Sequence, residues 1–152
     1  MINKTLLSCA GLALTLTAFA QERKIERAAL PPAVARTVDE VTRGSEIKGF
    51  ATEREHGSRV YEIETIANGH TRDITIAEDG TLKEVEEEVG LDALPAGVRK
   101  GLETKAGGAK ITKVESLTKN GRLVAYEAAT LRGSRKGEVQ VGPDGGALKH
   151  TE

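Results

Sequence analysis

The chain lacks most of the chemistry that cross-links or anchors a small protein. Its 152 residues include a single cysteine, Cys9, and no tryptophan, with only two tyrosines and two phenylalanines. One cysteine cannot form an intramolecular disulfide, and it cannot supply the thiolate set of a structural zinc site. The fold must therefore be held together by aliphatic packing and by backbone hydrogen bonds.

A surplus of positive charge is also missing. Lysine and arginine number 22 against 23 aspartates and glutamates, which leaves a net charge of −1. Binding to nucleic acid requires a basic surface, so the composition argues against a nucleic-acid partner. Beyond the first twenty residues, no apolar stretch approaches the roughly 20 residues that a membrane span needs. We expect no stable membrane insertion once the leader has been removed.

The first twenty residues have the pattern of a signal peptide. Lys4 gives a short positive start, residues 6–16 form an apolar run, and Ala18-Phe19-Ala20 fits a cleavage site. The apolar run is too short to span a bilayer. We expect cleavage after Ala20 and an exported protein, periplasmic or secreted, that starts with a flexible segment over residues 21–29.

The rest of the sequence repeats itself at a nearly fixed distance. Three dipeptides return 64 or 65 residues later: Leu30-Pro31 as Leu94-Pro95, Tyr61-Glu62 as Tyr126-Glu127, and Asp79-Gly80 as Asp144-Gly145. A constant offset over helix-like, strand-like and turn-like segments indicates two copies of one structural unit. The predicted units are residues 30–90 and residues 91–152.

Each copy predicts one helix followed by β-strands. Pro31-Pro32 suits a first helical turn, and apolar residues at i, i+4 and i+7 follow from Val34. Apolar and polar residues alternate over 59–67, and Asn68-Gly69 is a strong hairpin signal. The sequence therefore predicts an α+β fold of two tandem repeats. Each repeat is one helix packed on a three- to four-stranded antiparallel sheet, and the last strand is expected at residues 147–150.

The helix glycines of the second copy and the acidic run of the first lead to two further expectations. Gly97 and Gly101 lie in the second predicted helix and are expected to weaken it by up to about 1 kcal/mol each relative to alanine. The acidic run at residues 84–88 is interpreted as a solvated edge strand, whose charges would block pairing with another sheet.

The order of these motifs resembles the PepSY-like family of small exported bacterial domains. The resemblance covers Leu30–Lys83 and Leu94–Lys149 and consists of Leu-Pro before a helix, Tyr-Glu in a strand and Asp-Gly in a turn. The tandem arrangement is also similar to the architecture of beta-lactamase inhibitor protein, in which two sheets form a surface that grips an enzyme. These resemblances imply binding or inhibition of an envelope protein, such as a peptidase, and supply no catalytic residues.

The sequence shows no pattern of catalytic or metal-binding residues. Its three histidines are isolated from one another, and no serine lies in a GxSxG elbow. We expect a protein without enzymatic activity, cofactor or metal, whose partner is an envelope or secreted protein.

The predicted binding surface is the strand face turned away from the helices, which would be open if nothing packs on it. Its candidate residues are Val60, Glu62, Glu64, Ile66, Leu123, Ala125, Glu127, Ala129 and Leu131. Apolar side chains rimmed by charge on an exposed face often mark an interaction site. Two alternatives stay open: the face packs against the other copy or against a second subunit of a homodimer, or the protein is a periplasmic small-ligand-binding protein.

Overall fold

The computed structural model describes residues 22–152, so the predicted signal peptide lies outside the described residues. Two α-helices and eight β-strands account for most of this part of the chain. In chain order they are β1 (Arg23–Ile25), α1 (Pro32–Val41), β2 (Glu46–Glu55), β3 (Ser58–Ala67), β4 (His70–Ala77), β5 (Leu82–Glu88), α2 (Ala96–Ala106), β6 (Lys110–Lys119), β7 (Arg122–Arg132) and β8 (Arg135–Val141). Neither helix is long and apolar enough to cross a membrane, within the part of the chain that the structure describes.

All eight strands belong to one antiparallel sheet, in which they follow one another in chain order from β1 to β8. The pairing of β5 with β6 joins the two halves, and it places Glu84 opposite Lys119 and Glu88 opposite Glu115. The predicted fold class, two tandem repeats that each pack one helix on a separate small sheet, is therefore wrong. The protein is a mostly β structure built on one continuous sheet.

The sheet is continuous because the strand before each helix pairs with the strand after that helix. β1 pairs with β2 through Ile25 and Phe50, and 64 residues later Val89 donates its backbone N–H to the carbonyl of Val114. Because β5 pairs with β4 on one side and with β6 on the other, it closes the first half and opens the second. The acidic run at residues 84–88 lies in this central strand, so its interpretation as an edge strand is also wrong.

Both helices pack on the same face of the sheet, over two aliphatic cores. Under α1, Val34 and Val38 are fully buried against β3 and β4, together with Leu30, Tyr61, Ile63, Ile74 and Ile76. Under α2, Val98 and Leu102 are fully buried together with Leu94, Val114, Ala128 and Val141. Each such side chain contributes roughly 1.5–3 kcal/mol through burial. Aliphatic packing therefore fills the role that aromatic residues and disulfides have in many small exported domains.

The segment after β8 does not continue the sheet. The strand expected at residues 147–150 is absent from the structure. Gly142 instead donates its N–H to the carbonyl of Gly146 at 2.8 Å, which turns the chain back on itself. Further on, the N–H of Glu152 reaches the Oε1 atom of Gln140 at 2.9 Å, so the segment is held to β8 by a side chain.

Helix α2 rests directly on the turn that follows β8. A Cβ atom added to Gly101 would overlap the carbonyl oxygen of Gly145, and one added to Gly97 would lie 2.8 Å from the carbonyl oxygen of Asp144. At the matching place under α1, the Thr37 hydroxyl donates a hydrogen bond to the Gly80 carbonyl at 2.7 Å. The two helix glycines therefore allow a close approach of two backbones, which outweighs their weak helix propensity.

We predict that Gly101→Ala destabilises the protein by about 2 kcal/mol or more, because the new methyl group overlaps backbone that cannot move aside independently. Helix propensity alone predicts the opposite sign, a gain of up to about 1 kcal/mol. Urea denaturation followed by circular dichroism measures the difference. Gly90→Ala is the matched control, since Gly90 has a φ of −63° and no atom within 4 Å of an added Cβ. Equal stability of the two variants would contradict the close approach.

Candidate functional site: the open face of the sheet

The sheet face opposite the two helices, here called the open face, has no helix packed on it. Strand β3 shows the division clearly, because Ile63 is fully buried beneath α1 while its neighbours Glu62 and Glu64 alternate with it on the other side. The strand register extends the assignment across the sheet. Side chains paired in line with Glu62 and Glu64 therefore belong to the open face on every strand.

Carboxylates from neighbouring strands lie opposite one another on this face. Glu64 is paired with Asp73, and Asp73 with Glu86, while in the next row Glu88 is paired with Glu115 and Glu115 with Glu127. We call this set the acidic strip: Glu62, Glu64, Asp73, Glu84, Glu86, Glu88, Glu115 and Glu127. Like charges directly opposite each other destabilise a pair of antiparallel strands. The acidic strip therefore lowers the stability of the folded protein, and the fold does not need the strip in order to form.

Three members of the acidic strip form a compact cluster at its centre. Carboxylate oxygens of Asp73, Glu86 and Glu115, one from each, all lie within 4.8 Å of one another, and the three side chains are half-buried. Oxygen ligands of this kind suit a hard cation, but Ca²⁺ takes six to eight of them. The Lys113 ammonium lies 2.6 Å from Glu115 and supplies one positive charge to the cluster. The three carboxylates could contribute to cation binding, but they do not form a complete coordination shell.

Burial and repulsion between carboxylates raise the pKa of two carboxyl groups in the strip. Burial raises the pKa of Glu86 to about 7, and repulsion from neighbours including Glu84 and Glu115 adds to the effect. Burial likewise raises the pKa of Glu62 to about 7, with repulsion from Glu22 as the next contribution. Desolvation and neighbouring negative charge both disfavour the ionised form of a carboxylic acid. At neutral pH these two side chains are therefore only partly ionised.

Positive charge from Lys119 and the end of the chain at Glu152 lie at the β6–β8 side of the strip. The Lys119 ammonium lies 3.8 Å from both Glu84 and Glu152. The Gln140 amide donates to Glu127 at 2.5 Å and accepts the N–H of Glu152, which draws the end of the chain towards this side of the sheet. Within residues 22–152, no ion pair reaches the four central carboxylates Glu62, Glu64, Asp73 and Glu86. The uncompensated charge is thus concentrated on β3, β4 and β5.

The predicted binding residues on β3 all lie on the open face, but they differ in accessibility. Glu64 is exposed, and Glu62 and Ile66 are half-buried. Val60 is only 2% exposed, so it is not accessible to a partner. On this strand the accessible part of the predicted surface is mainly its two glutamates.

On β7 the register separates one predicted residue from the others. Glu127, Ala129 and Leu131 are half-buried on the open face, and Ala125 is fully buried there. A β-bulge between the Leu117–Ala125 and Thr118–Leu123 pairs changes the alternation. Leu123 consequently follows Thr118 and Val85 in the row that faces the helices. The prediction that Leu123 lies on the open face is wrong.

Sequence reasoning missed the most strongly charged part of the site. The predicted surface is limited to β3 and β7 and therefore omits Asp73, Glu84, Glu86, Glu88 and Glu115. For the three glutamates of the acidic run, the edge-strand interpretation also pointed away from a site. The signal was present in the run itself, where Glu84, Glu86 and Glu88 recur at every second position. A period of two places side chains on one face of a strand, whether that strand is central or at an edge.

No family model matches the chain, and no curated protein matches its sequence. Solved structures do match its fold. A BLIP-like protein from Bacteroides fragilis aligns with a TM-score of 0.60 at 16% identity, over 78% of this chain and 83% of its own. A protein from Bacteroides eggerthii that is assigned to the periplasm aligns with a TM-score of 0.65 at 14% identity, over 79% and 86%.

A DUF2874 family protein from Bacteroides ovatus gives a TM-score of 0.63 at 18% identity, over 79% of this chain and 85% of its own. The expected similarity to a BLIP-like architecture is thereby confirmed at the level of the fold. Membership of the PepSY-like family stays a prediction, because identities this low carry information on the fold alone.

We predict that the protein loses stability as the pH rises from about 5 to 8. The folded state raises the pKa of Glu62 and Glu86 to about 7, so it binds protons more tightly than the unfolded chain does. Stability is therefore greatest below the unfolded pKa of about 4.5 and falls as the pH passes through the folded value. Thermal unfolding at pH 5 and pH 8 should show the lower melting temperature at pH 8.

The substitution Glu86→Gln should remove most of the stability loss that ionisation of Glu86 causes between pH 5 and pH 8, since the amide stays neutral at every pH. We expect a gain of about 1–2 kcal/mol at pH 8, less than the full linkage value because the carboxyl is partly screened by solvent, and almost none at pH 5. Glu40→Gln, at an exposed position on α1, is the control. A pH profile that is the same for both variants would refute the role of crowding.

Proposed function

We propose that this chain is an exported, non-enzymatic binding protein that holds another protein against the open face of its sheet. Export is supported by the signal-peptide pattern of residues 1–20 and by the fold shared with a protein assigned to the periplasm. The BLIP-like fold and the PepSY-like order of motifs both favour protein binding over catalysis. Inhibition of an envelope enzyme, such as a peptidase, is the most specific form of this proposal.

The acidic strip is the observation that carries the proposal. Eight carboxylates share one side of a sheet, and only two of them, Glu84 and Glu115, form an ion pair among residues 22–152. Glu88 and Glu127 instead accept hydrogen bonds, from Thr71 and Gln140. Such an arrangement lowers the stability of the isolated protein. Complementary charge across an interface would recover that loss and would also accelerate association. A partner docked on the open face therefore gives the strip a role.

The small-ligand alternative is less well supported by the cavities. Ligand pockets are usually enclosed and lined mostly by apolar side chains. A cavity of about 320 Å³ lies beside β1 and β2, and its lining includes the charged residues Glu22, Lys24, Glu26, Lys48 and Glu64. Ile25, Ile47 and Phe50 also line it, but the cavity is open to solvent, as are three larger depressions of about 570–650 Å³. We therefore favour a protein partner.

Site-specific photo-crosslinking tests the proposal in cells that produce the protein naturally. A photoreactive residue is placed at Thr75 or at Ala129 on the open face, and control probes replace Glu40 on α1 and Lys100 on α2, which are exposed. We expect a discrete adduct with another protein from the open-face positions only. Adducts that form only from the helix positions, or from no position, would overturn the proposal.

A further inference from the structure

We propose that the partner presents a cluster of lysine or arginine side chains, which supplies the counter-charges missing from the centre of the acidic strip. This inference rests on the proposed function and specifies the chemistry of the partner. The occupant is a cationic protein surface. A divalent cation and a second copy of this chain are the competing occupants.

The four central carboxylates form no direct ion pair, and Lys113, the cation beside their cluster, is paired with Glu115. Glu62, Glu64, Asp73 and Glu86 lie on three adjacent strands, and none of them takes part in an ion pair of the described chain. The lysines that lie nearest the strip are already engaged, Lys113 with Glu115 and Lys119 with Glu84. A partner that carries positive charge would therefore meet carboxylates that no ion pair of residues 22–152 occupies.

The spacing of these carboxylates fits basic side chains on a helix. Neighbouring strands lie about 4.7–4.9 Å apart, so the row of Glu64, Asp73 and Glu86 spans roughly 10 Å. Basic residues at positions i and i+4 of a helix are separated by about 5–6 Å between Cβ atoms. Arginine is particularly suitable, because its planar fork can donate two hydrogen bonds to one carboxylate.

The apolar groups of the open face do not offer an alternative anchor. Val60, Leu117 and Ala125 are between 0% and 3% exposed, so they offer a partner no accessible apolar surface. Leu131 is half-buried at the end of β7, away from the centre of the strip. The centre of the face therefore presents carboxylates above a closed apolar layer, which favours recognition of charge. A second copy of this chain would bring its own acidic strip and would be repelled.

A designed peptide probes this chemistry directly. The probe is an alanine-based helical peptide with arginine at every fourth position, and its control has glutamine at those positions. Binding of both to the purified protein is measured by fluorescence anisotropy from 50 to 500 mM NaCl. We expect the arginine peptide alone to bind, with an affinity that falls as the salt concentration rises.

Two triple variants with the same net charge separate a local site from a general attraction. Glu64→Gln with Asp73→Asn and Glu86→Gln neutralises the centre of the strip. Glu40→Gln with Glu78→Gln and Glu103→Gln removes the same charge at exposed positions on the helices and one turn. We expect the strip variant to bind the arginine peptide at least tenfold more weakly, and the control variant to change less than twofold. Circular dichroism confirms that both variants remain folded.

The outcomes separate this inference from the proposed function. Equal weakening in the two variants would show attraction to net charge only and would overturn the inference. Absence of peptide binding, together with adducts from Thr75 in cells, would overturn the inference and leave the proposed function intact. Saturable binding of Ca²⁺ that is lost in the strip variant, without binding of the arginine peptide, would assign the strip to a divalent cation instead.

Discussion

Backbone hydrogen bonding between β5 and β6 is the constraint on which the rest of the molecule depends. It joins two halves with similar order of elements into one sheet, and it makes β5 a central strand. The same pairing brings Glu115 of the second half beside Asp73 and Glu86 of the first. The cluster of Asp73, Glu86 and Glu115 is therefore a product of the continuous sheet, and neither half would form it alone.

The sequence reveals the local elements of this fold because their signals are local. The Asn68-Gly69 and Asn120-Gly121 turns have positive φ at both residues, as the hairpin signal predicts. Helix α1 begins at Pro32, whose fixed φ suits the first helical position, and α2 begins directly after Pro95. By contrast, α2 lies between β5 and β6 in the chain, so no short motif records that these two strands pair. The predicted fold class is wrong at that point, because the two halves share one sheet.

The sequence predicts which face of the sheet carries the candidate site better than it predicts the chemistry of that face. Alternation along β3 correctly separates Glu62 and Glu64 from Ile63, since that depends only on the pleat of one strand. The burial of Ala125 and the raised pKa of Glu86 depend on side chains from neighbouring strands. The bulge that reorients Leu123 likewise depends on the register with β6. Such properties arise only when the whole sheet is assembled.

The sequential order of the strands has a consequence for how the chain folds. Each strand pairs with the next one in the sequence, and the connections that include α1 and α2 are about twenty residues long at most. The entropy lost on closing such short loops is small, and contacts that are close in sequence favour rapid folding. A hairpin such as β3–β4 can therefore act as a nucleus, from which the sheet grows one strand at a time in both directions. In that order of assembly, Glu64 and Asp73 meet first, and the acidic strip is completed only when the growing sheet brings β6 and β7 to β5.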